Sequence, residues 1–128
     1  MKLYRLMSAD GDGKPAVGSE PMMLGERPTD PGRPNKARDV AAVLGTDPVG
    51  PGAGLSCYAD PVAIKLRRGR SLLLWAVEAD DLPAGLTARP AGPPHWHLEP
   101  TAVMTLDVFQ QLLAATRDLW RQETGDAT

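Results

Sequence analysis

Residues 71–77, SLLLWAV, carry the strongest strand signal in the chain. A continuous apolar run of this length, bounded by turn-forming residues, is typical of a buried central strand. Working outward, KLRRGR (65–70) breaks the chain before it and DDLPAGL (80–86) turns it afterwards. Before the break, Asp60 can cap a short helix over residues 60–66 with Pro61 in its first turn. GLSCY (54–58) reads as a strand leaving the glycine-rich TDPVGPGAG segment. HWHLE (95–99) alternates and follows Pro90, Pro93 and Pro94, so it too reads as a strand. A first strand is expected over residues 2–7 (KLYRLM) and a short one near Ala16 and Val17, with DGDG (10–13) as a tight turn between them.

Helix signals flank this set of strands. ARDVAAVL (37–44) has room for two helical turns ended by Gly45. Near the C-terminus, Thr105 can cap a helix running to about Gln122, with Met104 and Phe109 placed as a hydrophobic staple. Val108, Phe109, Leu112, Leu113, Thr116, Leu119 and Trp120 fall on its inward face. The stretch from Pro21 to Asn35 is rich in proline, glycine and charge and reads as a long loop. Short strands early and one substantial helix late give an α+β class.

Composition sets the outer limits. The 128 residues suit one domain, and 13 glycines with 13 prolines demand many turns. A hydrophobic share of 42% supports a core, with aliphatic rather than aromatic residues supplying it, since aromatics are 5%. A net charge of −2 argues against a nucleic-acid partner. The basic run Lys65, Arg67, Arg68 and Arg70 therefore reads as a solvated turn. No apolar run is long enough to cross a membrane, and MKLYRLMSADGDG lacks the apolar core of a secretory leader. A lone cysteine, Cys57, suits a reducing compartment. A cytoplasmic protein is expected.

Four groups of residues carry candidate chemistry. His95, His97 and Glu99 alternate on one strand and can share a face, as a two-histidine, one-carboxylate metal set requires. Neighbouring alternate residues on one flat strand converge poorly on an ion, so the plainer reading is one hydrogen-bonded groove histidine and one surface histidine. Arg5 sits in an apolar strand and either faces solvent or meets a pairing group, and its planar fork suits phosphate or carboxylate. Ser56 follows PGPGAG, where glycines let a ligand approach the backbone, but Tyr58 replaces the second glycine of a nucleophile elbow. Cys57 is a conceivable nucleophile with His95 or His97 as base, though a lone cysteine among apolar neighbours is more often a small core residue.

A first strand containing Leu3-Tyr4-Arg5, a glycine-rich lead into Gly54-Leu55-Ser56, Asp81-Leu82-Pro83 after a strand, and the segment from His95 to Trp120 occur in that order. The last segment includes Pro100 to Leu106, with its M-T-L. This order resembles the ADP-ribosyltransferase-fold toxins of the type VI secretion effector group. The matching motifs are short and bracket most of the chain. The resemblance implies a compact ADP-ribosyltransferase-like fold of short, mostly antiparallel strands in two sheets with a C-terminal helix. It implies one domain over residues 1–122 with 123–128 as a tail.

The resemblance also implies NAD as substrate, with cleavage of the nicotinamide–ribose bond and transfer of ADP-ribose or hydrolysis. By the same likeness Arg5 would pair with NAD phosphate, Ser56 would fix Glu99, and Glu99 would stabilise the oxocarbenium-like ribose. Tyr58 or Trp96 would stack on nicotinamide. His97 would lie beside the cofactor, where arginine-directed transferases carry a carboxylate or amide, so protein arginine is not the implied acceptor. A cognate antitoxin or immunity protein, and delivery into other cells, belong to the same expectation. Two alternatives stand beside it: a non-catalytic interaction domain of the same fold, and a small metal-binding β-barrel protein using His95, His97 and Glu99. The catalytic reading requires Arg5, Ser56 and Glu99 on adjacent strands facing one groove. Arg5 and Glu99 on opposite sheet faces would exclude it.

Overall fold

The computed structural model describes residues 1–20, 22–33, 38–64 and 72–123. In chain order they form β1 (Lys2–Ser8), β2 (Pro48–Val49), β3 (Leu55–Tyr58), β4 (Leu72–Glu78), β5 (Leu86–Pro90), β6 (His95–Pro100), β7 (Met104–Thr105), α1 (Leu106–Ala115) and β8 (Arg121–Gln122). Three turns of 3₁₀ helix, Pro61–Ala63, Ala79–Asp81 and Arg117–Leu119, join some of them. The fold is α+β and compact, with two antiparallel sheets and a helix towards the C-terminus.

The larger sheet has six strands in the order β5-β6-β3-β1-β4-β8, and the smaller pairs β2 with β7. The apolar run LLLWAV lies in β4, which pairs with β1 along its whole length, from Lys2 opposite Glu78 to Ser8 opposite Leu72. Ser71, the first residue of the expected strand, lies outside the described residues, as do Lys65, Arg67, Arg68 and Arg70. Among the described residues the sheet is open, with β5 and β8 at its edges, so they do not form the barrel of the metal-binding alternative.

Strand alternation sorts the side chains. Leu3, Met7, Leu55, Cys57, Trp75, Val77 and Leu98 are buried on one face and share a cluster with Leu106, Phe109 and Leu113 of α1. This inner face is the core. Cys57 is fully buried, and burial pushes its thiol up to about 12, so it stays protonated and is a core residue rather than a nucleophile. Gly54 lets β3 approach β6: a Cβ there would collide with the Leu98 carbonyl oxygen.

Several expected elements differ. The DGDG turn forms, with the Gly13 N–H donating to Asp10 O at 3.0 Å and Gly13 at φ +77°. Its flanks make only isolated bridges, Ala9 with Pro15 and Val17 with Leu24, in place of a second strand. Residues 38–44 are not helical. Their backbone groups are taken elsewhere: Val43 and Leu44 donate to the Asp47 carboxylate at 2.9 and 2.8 Å, and Thr29 N–H donates to Ala42 O at 2.8 Å. Such local side-chain bonds compete directly with helix. Ala37 lies outside the described residues. Asp60 caps a single 3₁₀ turn, Pro61–Ala63, through the Val62 N–H at 2.9 Å.

The last helix starts as expected, with Thr105 Oγ1 accepting from Val108 N–H at 3.3 Å. It stops at Ala115, well short of Gln122. Thr116 is fully buried, donates its hydroxyl to Leu113 O at 2.6 Å and accepts the Trp120 indole N–H at 3.0 Å. Arg117 is drawn to Pro15 O at 2.8 Å and to Asp12 at 2.6 Å. The chain then turns into β8, which pairs with β4. Trp120 still reaches the core, but Val108 is 45% exposed and leaves the expected inward face.

Candidate functional site

On the sheet face opposite the core, the register brings chosen residues into transverse rows. One row joins His95 of β6 to Tyr58 of β3 and Tyr4 of β1. The next joins Arg89 of β5 to His97 of β6 and Ser56 of β3. A third places Thr87 of β5 opposite Glu99 of β6. Paired residues in antiparallel strands point to the same side, and alternate residues do likewise. Ser56, Tyr58, His95, His97, Glu99 and Arg89 therefore share the outer face.

Glu99 is 3% exposed, and its Oε1 accepts the Gly52 backbone N–H at 3.0 Å. The glycine-rich segment singled out in the sequence thus acts through its backbone as a clamp on a carboxylate. Arg89 Nε lies 3.7 Å from Oε1, and His97 Nδ1 lies 3.6 Å from Oε2. His97 Nδ1 is buried and has no hydrogen-bond partner. The Tyr58 and His95 rings stand 5.0 Å apart at 45°. The arrangement offers a fixed carboxylate, an adjacent imidazole and hydroxyl, an aromatic pair, and an exposed guanidinium.

Arg5 is not part of it. Tyr4 is the β1 residue in register with Tyr58, so its neighbour Arg5 points the other way, into the inner face. Arg5 Nη1 donates to Ser56 O at 2.8 Å and Nη2 to Met23 O at 3.0 Å. Desolvation lowers the Arg5 pKa from its ordinary value, against the pull of Cys57, Asp39 and Glu26. The strands β1, β3 and β6 are neighbours as expected, but Arg5 and Glu99 occupy opposite faces. The catalytic reading, which needs Arg5, Ser56 and Glu99 facing one groove, is therefore overturned. Trp96 also lies on the inner face, opposite Cys57, and packs against the core rather than beside Tyr58.

His95 turns towards Tyr58 while His97 turns towards Glu99. Among the described residues no three histidine, cysteine, aspartate or glutamate side chains converge as a metal site requires. The physical reason is that His95 packs against the Tyr58 ring, which leaves His97 and Glu99 as a pair. The metal alternative on His95, His97 and Glu99 loses its ligand set.

Sequence reasoning missed Arg89 and the carboxylate-clamping role of Gly52. Arg89 lies in Leu86–Pro90, a run whose only strand signal is extended chain between a turn and prolines. Also missed was a buried polar cluster on the inner side. Glu26 is fully buried with both carboxylate oxygens unpartnered, and its backbone N–H donates to Gln110 Oε1 at 2.8 Å. Burial, then Asp39, pushes its carboxyl up to about 9, against Arg5 and Arg27. Beside it Asp39 accepts from Arg27 Nε at 3.2 Å and Nη2 at 3.1 Å.

No protein-family model, curated protein or solved structure matches the chain. No helix among the described residues is long and apolar enough to cross a membrane.

Proposed function

We propose that the chain is a non-catalytic interaction domain of an ADP-ribosyltransferase-like fold, for example one that engages an antitoxin or immunity protein. One observation carries this reading: Arg5 is turned to the inner face, opposite Glu99, where Nη1 and Nη2 are given to Ser56 O and Met23 O. A guanidinium held in this way is not free to pair with phosphate. Glu99 is 3% exposed and accepts the Gly52 backbone N–H, so its carboxylate is closed in rather than presented to a ligand.

The experiment is incubation of the purified protein with NAD, with release of free nicotinamide measured by chromatography. The wild type should leave NAD intact, as should Glu99→Gln. Release of nicotinamide by the wild type that Glu99→Gln slows ~10²–10³-fold, the usual loss for one preorganised electrostatic group, overturns the reading.

A further inference from the structure

We propose that residues 22–33 and 38–44 act as a strap over the inner sheet face, released when the Glu26 carboxyl gives up its proton. The strap lies on the core: Leu24, Val40 and Ala42 belong to the same buried cluster as Leu3, Cys57 and Phe109. It is fastened at Glu26. The Glu26 backbone N–H donates to Gln110 Oε1 at 2.8 Å, and Gln110 Nε2 donates to Glu26 O at 2.8 Å, which joins the strap to α1. On the sheet side, Arg5 Nη2 donates to Met23 O at 3.0 Å and Ser8 N–H donates to Met22 O at 2.9 Å. Arg27 pairs with Asp39, and Thr29 N–H donates to Ala42 O at 2.8 Å, so the two stretches are bound to each other.

Both carboxylate oxygens of Glu26 are buried without a hydrogen-bond partner at this fastening point. The charged and titratable groups around the side chain are Arg5 from β1, Cys57 from β3, and Arg27 and Asp39 from the strap itself. From α1 comes the neutral Gln110. None of these is placed to hold an ionised Glu26. Arg5 gives Nη1 and Nη2 to backbone carbonyl oxygens, and its buried Nε does not reach the carboxyl. Arg27 gives Nε and Nη2 to Asp39, and Asp39 repels a second carboxylate. An unpartnered carboxylate in such a place is far more costly than the neutral acid. Opening the strap hands that charge to water. With the strap closed the proton is held up to about pH 9, whereas in water its ordinary value is 4.5. Between these limits each pH unit favours the open form about tenfold. The sheet remains, because β1 and β4 pair with each other along their whole length.

The test is amide hydrogen exchange followed by NMR from pH 5 to pH 8, where reclosing outpaces exchange. Each rate is divided by that of an unstructured chain at the same pH. In the wild type the amides of Glu26, Thr29 and Asp39 should lose protection about tenfold per pH unit. They should also be at least about tenfold less protected than the amides of β1 and β4, since the strap opens while the sheet stays intact. Glu26→Gln should remove the slope. Gln110→Ala should lower strap protection about tenfold at every pH and keep the slope, because it loosens the clasp and leaves the proton in place. Strap amides without a slope in the wild type overturn the inference. So do strap amides as protected as those of β4 at every pH, since they then open only when the whole protein unfolds. A slope that persists in Glu26→Gln assigns the proton to another group and overturns it as well. If that variant fails to fold, the wild-type series still decides the first two points.

Discussion

A carboxylic acid without a hydrogen-bond partner in a protein core is costly, and Glu26 is one. Its carboxyl is pushed up to about 9 from an ordinary 4.5, first by burial and next by Asp39. The folded pKa is thus raised above the unfolded one. Glu26 then contributes most to stability below about pH 4.5, and that contribution drains away as pH rises towards about 9. The slope from this residue reaches at most about 1.4 kcal/mol per pH unit. Glu26→Gln keeps the neutral shape and removes the titration. The difference in unfolding free energy between variant and wild type should grow in favour of Gln from pH 5 to pH 9, measured by denaturant titration. A constant difference across that range would show that Glu26 is ionised in the folded protein. Arg5 belongs to the same neighbourhood, and its Nε is also buried without a partner. Glu26 appears in the sequence as one acidic residue in a loop, so nothing local marks it as buried.

At the scale of elements, α1 is anchored by a few residues of unequal weight. Phe109 and Leu113 are fully buried in the core, whereas Leu112 is half-buried and packs at the margin. Leu113→Ala should cost ~2–5 kcal/mol, the usual span for deleting a buried leucine side chain. Leu112→Ala should cost less than Leu113→Ala, since part of its side chain already meets water. Thermal or urea unfolding of the two variants compares them directly, and equal losses would place both leucines in one environment. The helix start was legible because an N-cap threonine acts within one turn. Its end was not, because Arg117 is held by Pro15 O and Asp12 and the chain beyond it pairs with β4, contacts with distant residues that leucine periodicity does not show. The stretch 38–44 shows the same limit: its propensity favoured helix, but Asp47 and Thr29 claimed its backbone groups.

For the whole molecule, the proposed function makes a cellular prediction. Expression of the wild type in a bacterial cytoplasm should leave the NAD pool undiminished. An NAD pool lowered by the wild type and restored by Glu99→Gln at equal protein level would overturn the non-catalytic reading. The sequence by itself determined the class, the turn at DGDG, the strands that carry Tyr4, Ser56 and Glu99, the buried strand at LLLWAV and the onset of the last helix. These follow from short-range rules: apolar runs, glycine turns and capping side chains act over a few residues. Tertiary structure alone decided which face each strand presents. Pairing Tyr4 with Tyr58 turned Arg5 inward, and a shift of one residue would have turned it outward. It also decided that β5 joins the edge of the sheet, bringing Arg89 beside Glu99, and that Glu26 is closed off from water. Register and burial depend on contacts between residues far apart in the chain, and so no local pattern encodes them.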